Sequence, residues 1–109
     1  MSAPLDLLQG TLDLLVLRTL AARPMHGYTV ARLIKDRSNA VFLVEEGALY
    51  PALHSLERKG WIESEWGVSE NNRKAKFYQL TARGRAALRT ELAEWNRYTR
   101  AVAGVLQPT

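Results

Sequence analysis

A change of period in the middle of the chain limits its fold more than any other feature. Leu49, Leu53 and Leu56 recur at i, i+4 and i+7, the spacing of one helical face. Over residues 61–66, Trp-Ile-Glu-Ser-Glu-Trp, the pattern turns to alternation, and it alternates again over residues 76–80. Both segments read as half-buried strands. Residues 67–75 between them are polar and too long for a tight turn, so the strands form a hairpin with a long tip. Helical spacing returns after Thr81, a good N-cap, and runs to about Leu106. A chain of 109 residues has room for one small core and an appendage.

The first half is helical by the same logic. Residues 5–20 are predicted to be one helix, with Leu5, Leu8, Leu12, Leu15 and Leu20 on one face and Leu14, Val16 and Leu17 extending it. A helix apolar around most of its circumference must be covered on two sides. Its own domain covers one, and a second chain is expected on the other. Pro24 lies past its end. A shorter helix over 28–36 turns Val30, Leu33 and Ile34 inward and Arg32, Lys35 and Arg37 outward. His26, just before it, is given a capping or packing role. A turn at 38–40 and an apolar run at 41–44 lead to a third helix over 46–59. Glu45 and Glu46 suit its positive end, Pro51 falls early enough to be tolerated, and Gly60 stops it.

On the last helix, Leu88, Leu92, Trp95, Thr99, Val102 and Leu106 recur in alternating steps of four and three, a heptad seam. Trp61 and Trp66 are both assigned to packing, at least one of them on the inner face of the hairpin.

The side-chain inventory excludes most chemistry. With no cysteine there is no disulfide, thiol nucleophile or thiolate zinc site. Two histidines, His26 and His54, cannot build a histidine metal cluster. There is no glycine-rich phosphate loop, and the Glu45–Glu46 pair is explained by the helix dipole. The expectation is therefore a protein that is not an enzyme and has no cofactor or metal. No run of 18 apolar residues crosses a membrane and no secretion leader is seen, so the expected location is cytoplasmic.

Charge is unevenly placed. Through Asn72 there are 7 basic and 9 acidic side chains; from Arg73 on there are 8 basic and 2 acidic, which restores the overall +4. Three helices, a hairpin with a basic tip and a last helix describe a winged helix-turn-helix: mainly α, with a small antiparallel β hairpin. The expected division is residues 1–81 as DNA-binding domain and 82–109 as dimerisation helix. The third helix docks one apolar face and leaves Tyr50, His54, Ser55 and Arg58 free for a major groove of double-stranded DNA. Arg73, Lys74 and Lys76 suit phosphates or a minor groove. The rival reading is a winged helix for protein interaction or RNA binding, without an operator.

One winged helix offers few contacts, and a two-fold operator needs two recognition helices about 34–36 Å apart. A homodimer is expected, with Leu8, Leu12 and Leu15 of one chain against Leu88, Leu92, Trp95, Val102 and Leu106 of the other. An indole fits a heptad seam poorly. Trp95, with Leu92, Tyr98 and Thr99, could therefore hold a planar aromatic effector at the dimer axis, or Trp95 could fill the interface; both readings stay open.

Four stretches carry a resemblance: Leu8-Gln-Gly-Thr-Leu-Asp-Leu-Leu-Val-Leu; His26-Gly27-Tyr28; Glu46-Gly-Ala-Leu-Tyr-Pro-Ala-Leu-His-Ser-Leu-Glu57 with Gly60-Trp61-Ile62; and Arg73-Lys-Ala-Lys-Phe-Tyr-Gln-Leu-Thr-Ala-Arg-Gly84. Together they resemble the PadR family of bacterial transcriptional regulators over nearly the whole chain. The resemblance implies a homodimeric repressor, with the single C-terminal helix of the smaller subfamily. Some small members bind planar molecules at the dimer interface. It also implies that Ala48, Tyr50 and Pro51 lie at the DNA-facing start of the recognition helix. Ala48 departs from the hydroxyl residue many relatives carry, leaving a methyl that could meet a thymine methyl.

Overall fold

A computed structural model describes residues 3–8 and 10–108. Its elements are α1 (Thr11–Leu20), β1 (Met25–His26), α2 (Gly27–Arg37), α3 (Glu46–Arg58), β2 (Ile62–Val68), β3 (Lys74–Leu80) and α4 (Ala82–Leu106). The expected fold class holds, with two changes at the edges of elements and one added strand.

The first helix starts at Thr11, not at Leu5. Gly10 takes φ +86°, a left-handed conformation that a glycine adopts freely and that breaks a helix. Upstream, Leu5 donates its N–H to the Val41 carbonyl at 2.9 Å, tying residues 3–8 to the segment after α2 as an arm. Leu5 and Leu8 are exposed on that arm. On α1 itself the buried side is Leu14, Val16, Leu17 and Leu20, with Leu12 and Leu15 half-buried. Thr19 is buried there too because its hydroxyl donates to the Leu15 carbonyl at 2.7 Å.

The strands are longer than expected. Pairing runs from Ile62↔Leu80 to Val68↔Lys74, so Gly67, Val68, Lys74 and Ala75 belong to the ladder. The tip shrinks to residues 69–73. Ser69 donates to the Arg73 carbonyl at 2.8 Å, and Asn72, at φ +60°, donates to the Ser69 carbonyl at 2.9 Å. Asparagine tolerates that φ, which closes the turn in fewer residues than polarity alone indicated. The added strand, β1, pairs Met25 with Tyr78 and His26 with Phe77, so the sheet order is β1-β3-β2. Two residues are too few to show a period.

The core lies between α1, α2, α3 and the inner face of the sheet. Leu17, Leu53, Leu56 and Val30 are fully buried at its centre, closed by Met25, Ile62 and Tyr78. α4 is anchored at its start. The Thr81 hydroxyl accepts from the Gly84 N–H at 3.0 Å, the expected cap, and donates to the Gly60 carbonyl. Gly84 is a glycine because a Cβ there would collide with the Trp61 carbonyl oxygen.

Candidate nucleic-acid interface

α3 divides cleanly. Leu49, Ala52, Leu53 and Leu56 are buried, while Ala48, Pro51, His54 and Arg58 are exposed on the other side. Pro51 is the sixth residue of the helix, later than the first-turn position expected, so the i→i−4 bond to the Gly47 carbonyl is not made there. Glu46 occupies the first turn and Glu45 the N-cap position, without a side-chain cap bond. Tyr50 is 37% exposed and is partly engaged: a Cβ on Gly27 would stand 3.1 Å from its hydroxyl oxygen, so its ring rests on the first turn of α2. Glycine at position 27 is what lets the two helices of the motif approach there.

The wing is fixed to this helix. Ser64 on β2 donates its hydroxyl proton to Glu57 Oε2 on α3 at 2.7 Å. Beside it, Tyr78 is buried on β3. Burial, then the Glu57 carboxylate, then Tyr50 push its phenol above the usual value. Beyond the core the ladder continues into solvent. Arg73 sits in the exposed tip; Lys74, expected in the loop, is exposed on the strand, and Lys76 is half-buried on the strand as expected. Trp66 does not have the packing role expected of it. It is 62% exposed, because at its register the inner face of the sheet has run past the core. Trp61 does pack against the core, with the Lys59 ammonium 4.7 Å from its ring centre. His26 has the packing role expected of it. Its ring meets Phe77 edge-on at 5.5 Å, and Nε2 lies 3.2 Å from the Thr29 hydroxyl.

A second group of expected residues gathers where α4 passes α1 and the arm before it. Trp95 and Tyr98 stack with ring centres 6.3 Å apart. Trp95 borders two cavities. One, of about 540 Å³, is lined by Leu8, Leu15, Phe42 and Leu92 among others; the second, of about 410 Å³, by Leu14, Glu91, Glu94 and Tyr98. Thr99 lines neither, and its hydroxyl donates to the Trp95 carbonyl at 3.0 Å. Of the expected interface residues, Leu8, Leu92, Val102 and Leu106 are exposed, and Leu12, Leu15, Leu88 and Trp95 are half-buried. α1 and α4 of the one chain pack on each other.

Three outward residues of α2 were not placed at the site from sequence. Tyr28, Arg32 and Lys35 are exposed and border, with Tyr50 and Glu46, a cavity of about 450 Å³ between α2 and α3. The outward position of Arg32 and Lys35 was legible and that of Tyr28 was not, and a polar helix face looks the same in any soluble domain. Among the described residues no cluster of three His, Cys, Asp or Glu could hold a metal, and no helix is long and apolar enough to cross a membrane.

Three helices, the third with a free polar face, and a β-wing pinned to that helix define a winged helix-turn-helix protein. Residues 16–90 match the Transcriptional regulator PadR-like family, and the chain belongs to it. It is 35% identical over 89 residues to a transcriptional regulator of Mycobacterium tuberculosis, covering 82% of this chain and 79% of that one. A PadR family regulator from Eggerthella lenta is 31% identical, with a TM-score of 0.79 over 93% of this chain and 86% of that chain. One from Clostridium difficile is 28% identical, with a TM-score of 0.77 over 90% of this chain and 100% of that one. The chain is thus a DNA-binding transcriptional regulator, of a family whose members are typically dimers.

Proposed function

We propose that this protein is a homodimeric repressor whose two α3 helices enter successive major grooves of a two-fold operator. Residues 1–81 form the DNA-binding unit and residues 82–109 the dimerisation helix. The observation that carries this reading is the divided surface of α3, apolar side docked and Ala48, Pro51, His54 and Arg58 free, beside a wing tied to it by Ser64 and Glu57. Ala48, Tyr50 and Pro51 face base edges at the start of the helix. His54 and Arg58 follow along it, and Arg73, Lys74 and Lys76 meet phosphates. Leu8, Leu12 and Leu15 of one protomer receive Leu88, Leu92, Trp95, Val102 and Leu106 of its partner. Tyr50 contributes as a positioned residue, since Gly27 already supports its ring.

The same reading places an effector at the dimer axis. The two cavities that Trp95 borders, one lined also by Leu92 and the other by Tyr98, support a planar aromatic ligand stacked on the indole; Thr99 lines neither and sits one turn further along the helix. Such a ligand lowers operator affinity by changing the spacing of the two recognition helices.

The test is a titration of duplex DNA from upstream of the protein's own gene at several salt concentrations. Replacing Arg73 and Lys74 by glutamine weakens binding to every sequence and flattens the salt slope by about 0.9 per lost phosphate contact. Tyr50→Ala weakens the operator more than random duplex. Affinity unchanged in both variants sinks the assignment, and binding to RNA but not to duplex transfers it to the rival class. Loss of Trp95 emission and of operator affinity with planar aromatic compounds, absent in Trp95→Phe, tests the effector site.

A further inference from the structure

The wing carries a large apolar side chain that neither the core nor the DNA-contact assignment uses. Trp66 is 62% exposed, and its neighbour on the same strand face, Val68, is 65% exposed. The register puts Lys76 opposite Trp66 and Lys74 opposite Val68, so all four side chains share one face of the hairpin. That face is the one that carries Ser64, bonded to α3, and Tyr78, buried in the core. Both lysine ammonium groups lie over the indole, Lys74 at 5.0 Å and Lys76 at 5.9 Å from its ring centre.

Trp66 and Val68 together leave a contiguous apolar patch in water, the kind of surface that marks an interaction site. The indole holds two flexible cations on one side of the strand. An ammonium drawn to an aromatic face loses part of its rotamer freedom before any ligand arrives. Two cations gathered at an apolar plate match the chemistry of a sugar–phosphate backbone, where phosphates lie next to the hydrophobic face of deoxyribose. Acidic protein surfaces carry the same charge, but they lack the regular apolar element between the charges.

We propose that Trp66 is a DNA-contacting residue of the wing, which presses its ring against deoxyribose and positions Lys74 and Lys76 for the flanking phosphates. This rests on the operator-binding reading above. It adds a contact that is insensitive to salt to a site otherwise made of cations, because burial of an apolar ring releases no counterion.

The experiment compares the full-length protein with Trp66→Phe, Trp66→Ala and the pair Lys74→Gln with Lys76→Gln, on duplex DNA across a salt series. Trp66 lies outside the core, so thermal unfolding of all variants is expected within a few degrees of wild type. Trp66→Phe retains a ring and stays within about 3-fold of wild-type affinity. Trp66→Ala binds at least 10-fold more weakly at every salt concentration, a loss greater than the change in its slope accounts for. The lysine pair instead flattens the slope by up to about 1.8. Acrylamide quenching gives an independent readout: the component missing in Trp66→Phe is quenched freely in the free protein and shielded by bound duplex. Trp66→Ala with wild-type affinity, or a Trp66 that stays open to acrylamide in the complex, overturns the proposal while leaving operator binding intact. A wild-type protein that does not bind duplex overturns the reading beneath it.

Discussion

α3 and α4 are both amphipathic helices, yet only α3 buries its apolar face fully, while α1 covers that of α4 only in part. Of the 13 residues of α3, Leu49, Ala52, Leu53 and Leu56 are buried, each 9% exposed or less. Of the 25 residues of α4 only Gly84 is buried, and it has no side chain. After that anchored first turn the helix leaves Leu92, Val102, Val105 and Leu106 open. Isolated amphipathic helices draw most of their stability from the surface they cover. The difference therefore separates a part of the molecule whose apolar face is covered from a part whose apolar face is left open, which is where the proposed dimer would form.

The strongest way to break that contrast is to place a charge on the open seam. Leu92→Arg is expected to convert the dimer to a monomer in sedimentation and to lower operator affinity at least 100-fold, since each protomer then reaches only one half-site. The α1–α3 body stays folded, because Leu92 is not part of its core. A variant that remains dimeric, or a wild-type protein that is a folded monomer at micromolar concentration, removes the dimer from the proposed function.

A smaller effect sharpens the contrast within one protomer. In the Leu92→Arg background, Leu53→Ala deletes a side chain with no exposed area and is expected to cost about 2–5 kcal/mol of stability. Val105→Ala, at a residue 84% exposed, is expected to cost under about 0.5 kcal/mol. Denaturant melts measure both. Equal costs would mean that α4 contributes to the same cooperative core as α3.

The long elements were legible because their periods ran for several turns. Leu49, Leu53 and Leu56 announced the docked face of α3, and the Thr81 cap was visible as a residue type in the right place. What escaped was set by single backbone conformations or by distant partners. Gly10 ended a leucine-rich run that looked continuous, and its φ is not encoded in hydrophobicity. β1 exists because Met25 and His26 meet β3, a pairing 51 to 53 positions away along the chain. Alternation put at least one of Trp61 and Trp66 on the inner face of the hairpin, but it could not say that the core stops short of Trp66. In the candidate site, the exposed face of α3 was readable from what the leucines left over. The support of Tyr50 by Gly27 and the bond from Ser64 to Glu57 join separate elements, so only the fold reveals them.

The smallest expected effect belongs to Tyr78, at the point where the covered part of the molecule is tightest. Its ring is 2% exposed, and burial, reinforced by the Glu57 carboxylate and Tyr50, raises the phenol above its usual value of 10.0. The neutral phenol is thus favoured more in the folded chain than in the unfolded one. The stability this adds is fully present below the unfolded value, and it is lost as pH rises through the higher folded one. Lysines and other tyrosines also titrate in that range, so the wild-type curve alone does not isolate the effect. Tyr78→Phe keeps the ring and removes the proton, and is expected to change stability at pH 7 by about 1 kcal/mol or less, having lost one polar group. Its melts should then fall less steeply than those of wild type between pH 9 and 11. Parallel alkaline limbs in the two proteins would show that Tyr78 ionises in the folded chain as easily as in the unfolded one, and that the wing root is open to water at a position where the fold closes it.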